Sequence, residues 1–235
     1  QPEVLGISVP FENRSQWVRD FPIPELSEKA LTDALNGLKN SETHTVMYQT
    51  AAGDAVRVCL EVLMPATHLV LFGSNNDIYP MARIGKELGW DLTVMANPLK
   101  VEKSLFALAA RVLNPKEDEQ PAIDDFTAVV LMAHDYKTDM QNLRNLLSST
   151  ARYIGLLGPR KRAQKMFDAF EAEGTIIPDD TMARIFAPAG LDIGALTPEE
   201  IALSIAAEIR ACFAGRQGGA LRLREGTIHE EGLKV

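Results

Sequence analysis

Residues Thr67 to Asp77, THLVLFGSNND, decide the fold. Leu69, Val70, Leu71 and Phe72 make a short apolar run, and Gly73 breaks it. Ser74, Asn75, Asn76 and Asp77 follow, all small and polar, and a helical pattern begins at Ile78. An apolar strand, a tight polar turn and a helix together form the opening unit of a doubly wound α/β domain. Such a turn leaves backbone N–H groups free at a helix N-terminus, where an anion is favoured.

The pattern repeats downstream. A helix is predicted over Ile78 to Leu88, with Pro80 in its first turn and Gly89 as its stop. Asp91 to Ala96 reads as the second strand, ended by Asn97 and Pro98. Residues 99–113 fit either a helix or, over Ala109 to Leu113, a short third strand. Phe126 to Ala133 (FTAVVLMA) is a continuous apolar run, as in a strand covered on both faces. A helix over Asp139 to Leu147 follows, then the strand Tyr153 to Leu157, then Gly158-Pro159 and a helix over Lys161 to Ala172. Arg184 to Gly190 is irregular or a short strand. Thr197-Pro198-Glu199-Glu200 is a capping box opening a helix whose apolar positions wrap most of its surface, which predicts a largely buried helix. Strands alternating with helices argue a Rossmann-like, mostly parallel sheet with right-handed crossovers.

Residues 1–66 read as a small separate α+β domain, and 67–235 as the Rossmann-like domain. In the small domain PFENRS and FPIPE are turn-rich. Leu26 to Leu38 is helical, with Ser27 as N-cap and Leu31, Ala34, Leu35 and Leu38 on one face. HTVMYQT and AVRVCLEVL form a hairpin around the turn Ala51-Ala52-Gly53-Asp54. Met64-Pro65-Ala66 marks the boundary.

The totals narrow the functions. With 46% hydrophobic and 24% charged residues in 235, the chain has the composition of a soluble globular protein. Its net charge of −8 offers no long-range attraction to nucleic acid or anionic lipid, so both are discounted as partners. Cys59 and Cys212 stand far apart and in no ligand-like spacing, which suits a reducing cytoplasm and offers no metal site. There is no run long enough to span a membrane and no signal-peptide pattern at the N-terminus. The chain does not begin with Met, so a fragment or a processed form is expected.

Ligands of such sheets bind beyond the carboxyl ends of the strands, near the reversal of strand order. The residues placed there are Gly73, Ser74, Asn75, Asn76 and Asp77, then Asn97, then His134 and Asp135, then Gly158, Arg160 and Lys161. A dinucleotide loop needs G-x-G-x-x-G and an acid ending the second strand. Only Gly73 is kept; Asn75 and Ile78 replace the other glycines, and the strand ends Met95-Ala96-Asn97. The loop therefore suits an anionic ligand better than ordinary NAD(P), or else it is a turn that binds nothing. His134-Asp135 either positions a ligand or is a local backbone-bonded histidine; an adjacent pair is no catalytic triad. Asp139 either caps the following helix or extends the polar rim. Arg160, Lys161, Arg162 and Lys165 gather at a helix start, where cations are disfavoured, which hints at a bound phosphate or a solvated face. Asp192, between Gly190 and Gly194, either fixes its own turn or projects into the crevice. His44, His68 and His229 lie apart and read as structural or surface residues, and no nucleophile with a positioned base is visible.

Several stretches go further. YIGLLGPRKR (153–162), APAGLDIGALTPEEIALSIAAEI (187–209), LVLFG with LGWDLTV, and the closing GGALRLREGTIH (218–229) together resemble the XdhC/CoxI family. Members of that family are accessory or maturation factors for xanthine and carbon monoxide dehydrogenases. The resemblance covers about residues 55 to 229 and implies a Rossmann-like C-terminal domain behind a smaller N-terminal one. It implies a cofactor chaperone rather than a catalyst: a chain that holds the molybdenum cofactor (molybdopterin), protects it during sulfuration and delivers it. The implied partners are a molybdenum hydroxylase apoenzyme and a cysteine-desulfurase-type sulfurtransferase. Some members are dimers, so a homodimer is among the implied states. An anionic pterin suits a glycine turn with Arg160 and Lys161. The chain departs from the family in three places: GSNND stands for a GAG-type loop, Met95-Ala96-Asn97-Pro98 for an Asp-containing strand end, and no cysteine motif lies in the N-terminal domain. Two other readings remain beside the chaperone: an NAD(P)-dependent oxidoreductase, and a non-catalytic interaction module with a vestigial nucleotide site.

Overall fold

The computed structural model describes residues 21–40, 43–63 and 65–224. PFENRS, Met64, residues 225–229 of the closing motif and His229 lie outside the described residues. The chain divides into two compact units, with the second spanning Pro65–Leu223.

In the first unit, helix α1 (Ser27–Asn40) precedes strands β1 (His44–Gln49) and β2 (Ala55–Leu60). The strands pair antiparallel, from His44 opposite Leu60 to Gln49 opposite Ala55, so the predicted hairpin closes at residues 51–54. Two details of α1 differ from the sequence pattern. Ser27 is not an N-cap: a 3-10 turn, Pro24–Leu26, leads into the helix, and the Ser27 hydroxyl donates back to Pro24 O at 2.8 Å. The face that packs is also rotated, with Leu26, Ala30 and Gly37 buried while Leu31, Leu35 and Leu38 are half-buried. The rotation follows Tyr48, which lies buried with Phe21, Leu26 and Ala30 and donates its hydroxyl to Asp33 Oδ2 at 2.6 Å.

The second unit is the doubly wound domain. Its strands are β3 (His68–Phe72), β4 (Asp91–Met95), β5 (Arg111–Leu113), β6 (Thr127–Leu131), β7 (Tyr153–Leu156) and β8 (Ile185–Phe186). They form one sheet in the order β5-β4-β3-β6-β7-β8, with every neighbouring pair parallel. Consecutive residues of the central strands point to opposite faces. Leu69, Leu71, Ala128 and Val130 meet helix α2 (Ile78–Glu87) and the last long helix on one face. Val70, Phe72, Val129 and Leu131 meet α4 (Tyr136–Leu146) and α5 (Arg160–Ala172) on the other. Apolar side chains are thus wanted at 69–72 in β3 and 128–131 in β6, which is why those runs carry no alternation.

The ambiguous stretch 99–113 resolves into both of its alternatives in turn. A single helical turn, α3 (Leu105–Leu108), is followed by β5 at the sheet edge. The short strand β8, after the helical turn α6 (Asp179–Met182), is the opposite edge. The last helix, α7 (Pro198–Phe213), carries the full capping box, with Thr197 and Glu200 bonding each other's backbone. It buries Ala202, Ile205, Ala206 and Ile209 along one side only; Leu203 is 54% exposed, so the helix lies on the sheet and is not enclosed.

Candidate functional site

Strand order reverses between β3 and β6, so the loops leaving these two strands flank the crevice where such folds take ligands. Gly73 is fixed there by close approach. A side chain on it would stand 2.6 Å from Met132 O and 2.9 Å from Met132 C, at the end of β6.

Two polar residues of the β3–α2 loop reach the segment just past β6. Asn75 Nδ2 donates to Ala133 O at 3.2 Å. Asp77 Oδ2 lies 2.6 Å from His134 Nε2. Ser74 and Asn76 are exposed. His134 has a left-handed backbone, with φ of 59°, uncommon for a residue other than glycine.

His134 and Asp135 therefore do not act as a pair. Asp135 turns away to cap α4, accepting from the Thr138 N–H at 2.8 Å and from its hydroxyl at 2.6 Å. Those bonds, the side-chain one first, hold its carboxyl below the ordinary value. The helix consequently begins at Tyr136, ahead of the predicted start at Asp139. Asp139 is not the cap. It lies buried in the first turn, where it accepts from Ala133 N–H at 3.2 Å and from Arg162 Nη2 at 2.6 Å. Burial raises its carboxyl above the ordinary value, in spite of both donors.

Arg162 is thereby removed from the basic cluster at the start of α5. It is half-buried against Asp139, beside a shallow recess that includes Leu157, Gly158 and Pro159. Gly158 adopts a φ of 125°, which suits glycine and turns the chain into α5. That helix has Pro159 before it and no side-chain cap; the Arg162 N–H donates to Pro159 O at 2.8 Å, and the N–H groups of Arg160 and Lys161 ahead of it have no intrahelical partner. Arg160 and Lys161 are exposed beside them, with no ion-pair partner among the described residues. Lys165 lies over the Tyr136 ring, 5.1 Å from its centroid.

Asn97 Oδ1 accepts from Leu99 N–H at 2.9 Å and so shapes its own turn. Asp192 is exposed, and its loop is held by α7 instead: Gly190 N–H donates to Glu208 Oε2 at 2.7 Å, and Ser204 Oγ to Leu191 O at 2.6 Å. Tyr153 OH donates to the same Glu208 oxygen at 2.6 Å. His68 Nε2 lies 3.0 Å from Thr93 Oγ1 near the start of the sheet. Among the described residues no group of three His, Cys, Asp or Glu side chains is placed to hold a metal, and no helix is long and apolar enough to cross a membrane.

Sequence reasoning missed the strut from Ala133 through Asp139 to Arg162. One signal was present: Asp135 already supplies a cap for α4, which leaves Asp139 surplus to capping. The structure thus brings Gly73, Asn75, Asp77 and His134 together, ties them through Ala133 to Asp139, Arg162 and the Gly158 turn, and leaves Asp192 outside this network.

A parallel sheet in this order, with a glycine turn at its reversal point, defines a Rossmann-type domain. Residues 69–209 match the family described as the XdhC Rossmann domain, and the chain belongs to that family. A relative in Bacillus subtilis (strain 168), described as a probable subunit of xanthine dehydrogenase, is 30% identical over 154 residues, covering 64% of this chain and 44% of the relative. The Escherichia coli (strain K12) protein YqeB, described as uncharacterized, is 27% identical over 175 residues, covering 72% of this chain and 31% of its own length. The matches thus span less than half of either relative. The crystal structure of a xanthine dehydrogenase (BH1974) from Bacillus halodurans shares the fold, with a TM-score of 0.55 at 20% identity over 86% of this chain and 68% of that one.

Proposed function

We propose that this chain is an accessory factor of a xanthine-dehydrogenase-type molybdenum hydroxylase, and that its crevice holds the molybdenum cofactor as cargo for the apoenzyme. The observation that carries the proposal is the match of residues 69–209 to the XdhC Rossmann domain family. The description of the Bacillus subtilis relative supports the link to xanthine dehydrogenase.

The residues at the start of α5 fit the anionic part of such a cargo. The Gly158 turn brings the chain to an uncapped helix N-terminus, and Arg160 and Lys161 stand exposed beside it. Positive charge from both side chains and from the helix end favours a phosphate there. Arg162, committed to Asp139, holds the turn and leaves ligand contact to its two neighbours. The β3–α2 and β6–α4 loops, tied to each other, form the facing wall. In this role the chain binds and orients the cofactor, whose redox chemistry belongs to the hydroxylase. A cysteine-desulfurase-type sulfurtransferase is the second partner in the proposal, and the setting is the cytoplasm.

The test is co-purification. The tagged chain is expressed with a xanthine-dehydrogenase-type hydroxylase, once in cofactor-deficient cells and once in cofactor-replete cells. The proposal expects the apoenzyme to be retained and the loaded enzyme to be released. Failure of a folded chain to retain either form refutes it.

A further inference from the structure

The β3–α2 loop carries a negative charge at the place where a phosphate-binding loop offers a positive end. In a dinucleotide fingerprint the second glycine lets the pyrophosphate approach the backbone at the start of the helix. Asn75 occupies that place, and its amide is turned to Ala133 O. Asp77, the residue before α2, has helical backbone angles, and its side chain makes no capping bond to that helix. Its Oδ2 instead contacts His134 Nε2 at 2.6 Å. His134 makes this contact from a left-handed backbone. The Asp77 side chain stays 25% exposed, so the contact with His134 does not cover it fully.

The geometry points to Asp77 as an internal anion. Held by His134, its carboxylate takes the electrostatic place of a ligand phosphate at the start of α2 and makes Asp77 a specificity-determining residue that rejects a dinucleotide pyrophosphate at this loop. The helix end is already neutralised, and an incoming phosphate meets a like charge within a few ångströms. The rejection belongs to the β3–α2 loop alone and does not depend on the anion seat at α5.

The test titrates inorganic pyrophosphate calorimetrically into the full chain carrying Arg160→Ser and Lys161→Ser, so that the start of α5 does not contribute. In that background Asp77→Asn keeps the size of the side chain and its contact with His134 while removing the charge. Pyrophosphate affinity is expected to rise about tenfold, the effect of lifting one nearby like charge at a partly exposed site. Glu87→Gln removes one carboxylate from the far end of the same helix and is expected to change affinity less than about twofold, because distance and salt screen it. Circular dichroism and thermal denaturation establish that each variant is folded. No gain in folded Asp77→Asn, or an equal gain in Glu87→Gln, overturns the inference. So does saturable NAD binding by the unsubstituted chain.

Discussion

Replacing Gly73 by alanine adds a single methyl group between the two strands that flank the crevice. The new carbon would lie 2.6 Å from Met132 O, 2.9 Å from Met132 C and 3.3 Å from Ala133 N. A relaxed contact needs about 3.5 Å, so β6 or the loop must retreat by about 1 Å. Every crowded atom is backbone, and none can swing aside as a side chain would. The retreat stretches the bond from Met132 N–H to Phe72 O, now 2.9 Å, and loosens the Asn75 contact with Ala133 O. Overpacking of this kind costs about 1–3 kcal/mol, and the rigid neighbours put this site near the top of that range. For a domain of this size that is a fall of about 6–12 °C in melting temperature. Thermal denaturation followed by circular dichroism measures it. Gly219→Ala, where the added carbon meets nothing within 4 Å, is the matched control. If Gly73→Ala melts with Gly219→Ala, the close approach of β3 and β6 at the crevice is wrong.

Three further outcomes follow from single side chains. Burial holds Asp139 above its ordinary value of 3.8, so the folded chain binds that proton more readily than the unfolded chain. Its stabilising share is full below 3.8 and is lost as pH rises through the raised value, so urea denaturation from about pH 3 to about pH 7 should show the parent losing stability relative to Asp139→Asn. Burial lowers His68 below 6.5, and the stability linked to its neutral form is present above 6.5 and lost as pH falls through the lowered value. His68→Gln keeps a group able to bond Thr93 Oγ1 and should flatten that acid-side loss in a melting series. Thr197→Ala removes the side-chain acceptor for the Glu200 N–H and should destabilise α7 by about 1 kcal/mol in urea denaturation, with Thr197→Ser close to the parent.

The sheet was legible in the sequence because β3 and β6 are covered on both faces, which writes them as unbroken apolar runs between polar turns. The order of the strands was legible only as a class, since periodicity does not say which strand lies beside which. Short edge elements were the hardest: β5 and β8 have three and two residues, too few for a pattern to emerge. In the site, the loops could be placed from the rule that ligands lie past strand ends, yet the side-chain pairings could not. His134 meets Asp77 across 57 residues of sequence, and Arg162 meets Asp139 across 23. Local chemistry carries one signal that hydrophobic periodicity hides: Asp135 and Thr138 are spaced as an N-cap and its third residue, which fixes the start of α4 and frees Asp139 for the strut. Ser27 shows the opposite failure, a capping residue type that the preceding 3-10 turn draws inside the helix.

Release of bound pterin tests the central claim most directly. The chain is purified from cells that make molybdenum cofactor, denatured and oxidised, and the fluorescence of the freed pterin is measured against protein concentration. The proposal predicts a pterin signal that scales with folded protein and is lost in the Arg160→Ser/Lys161→Ser variant while its melting temperature is unchanged. A folded chain that yields no pterin, or a signal indifferent to those two residues, would contradict it.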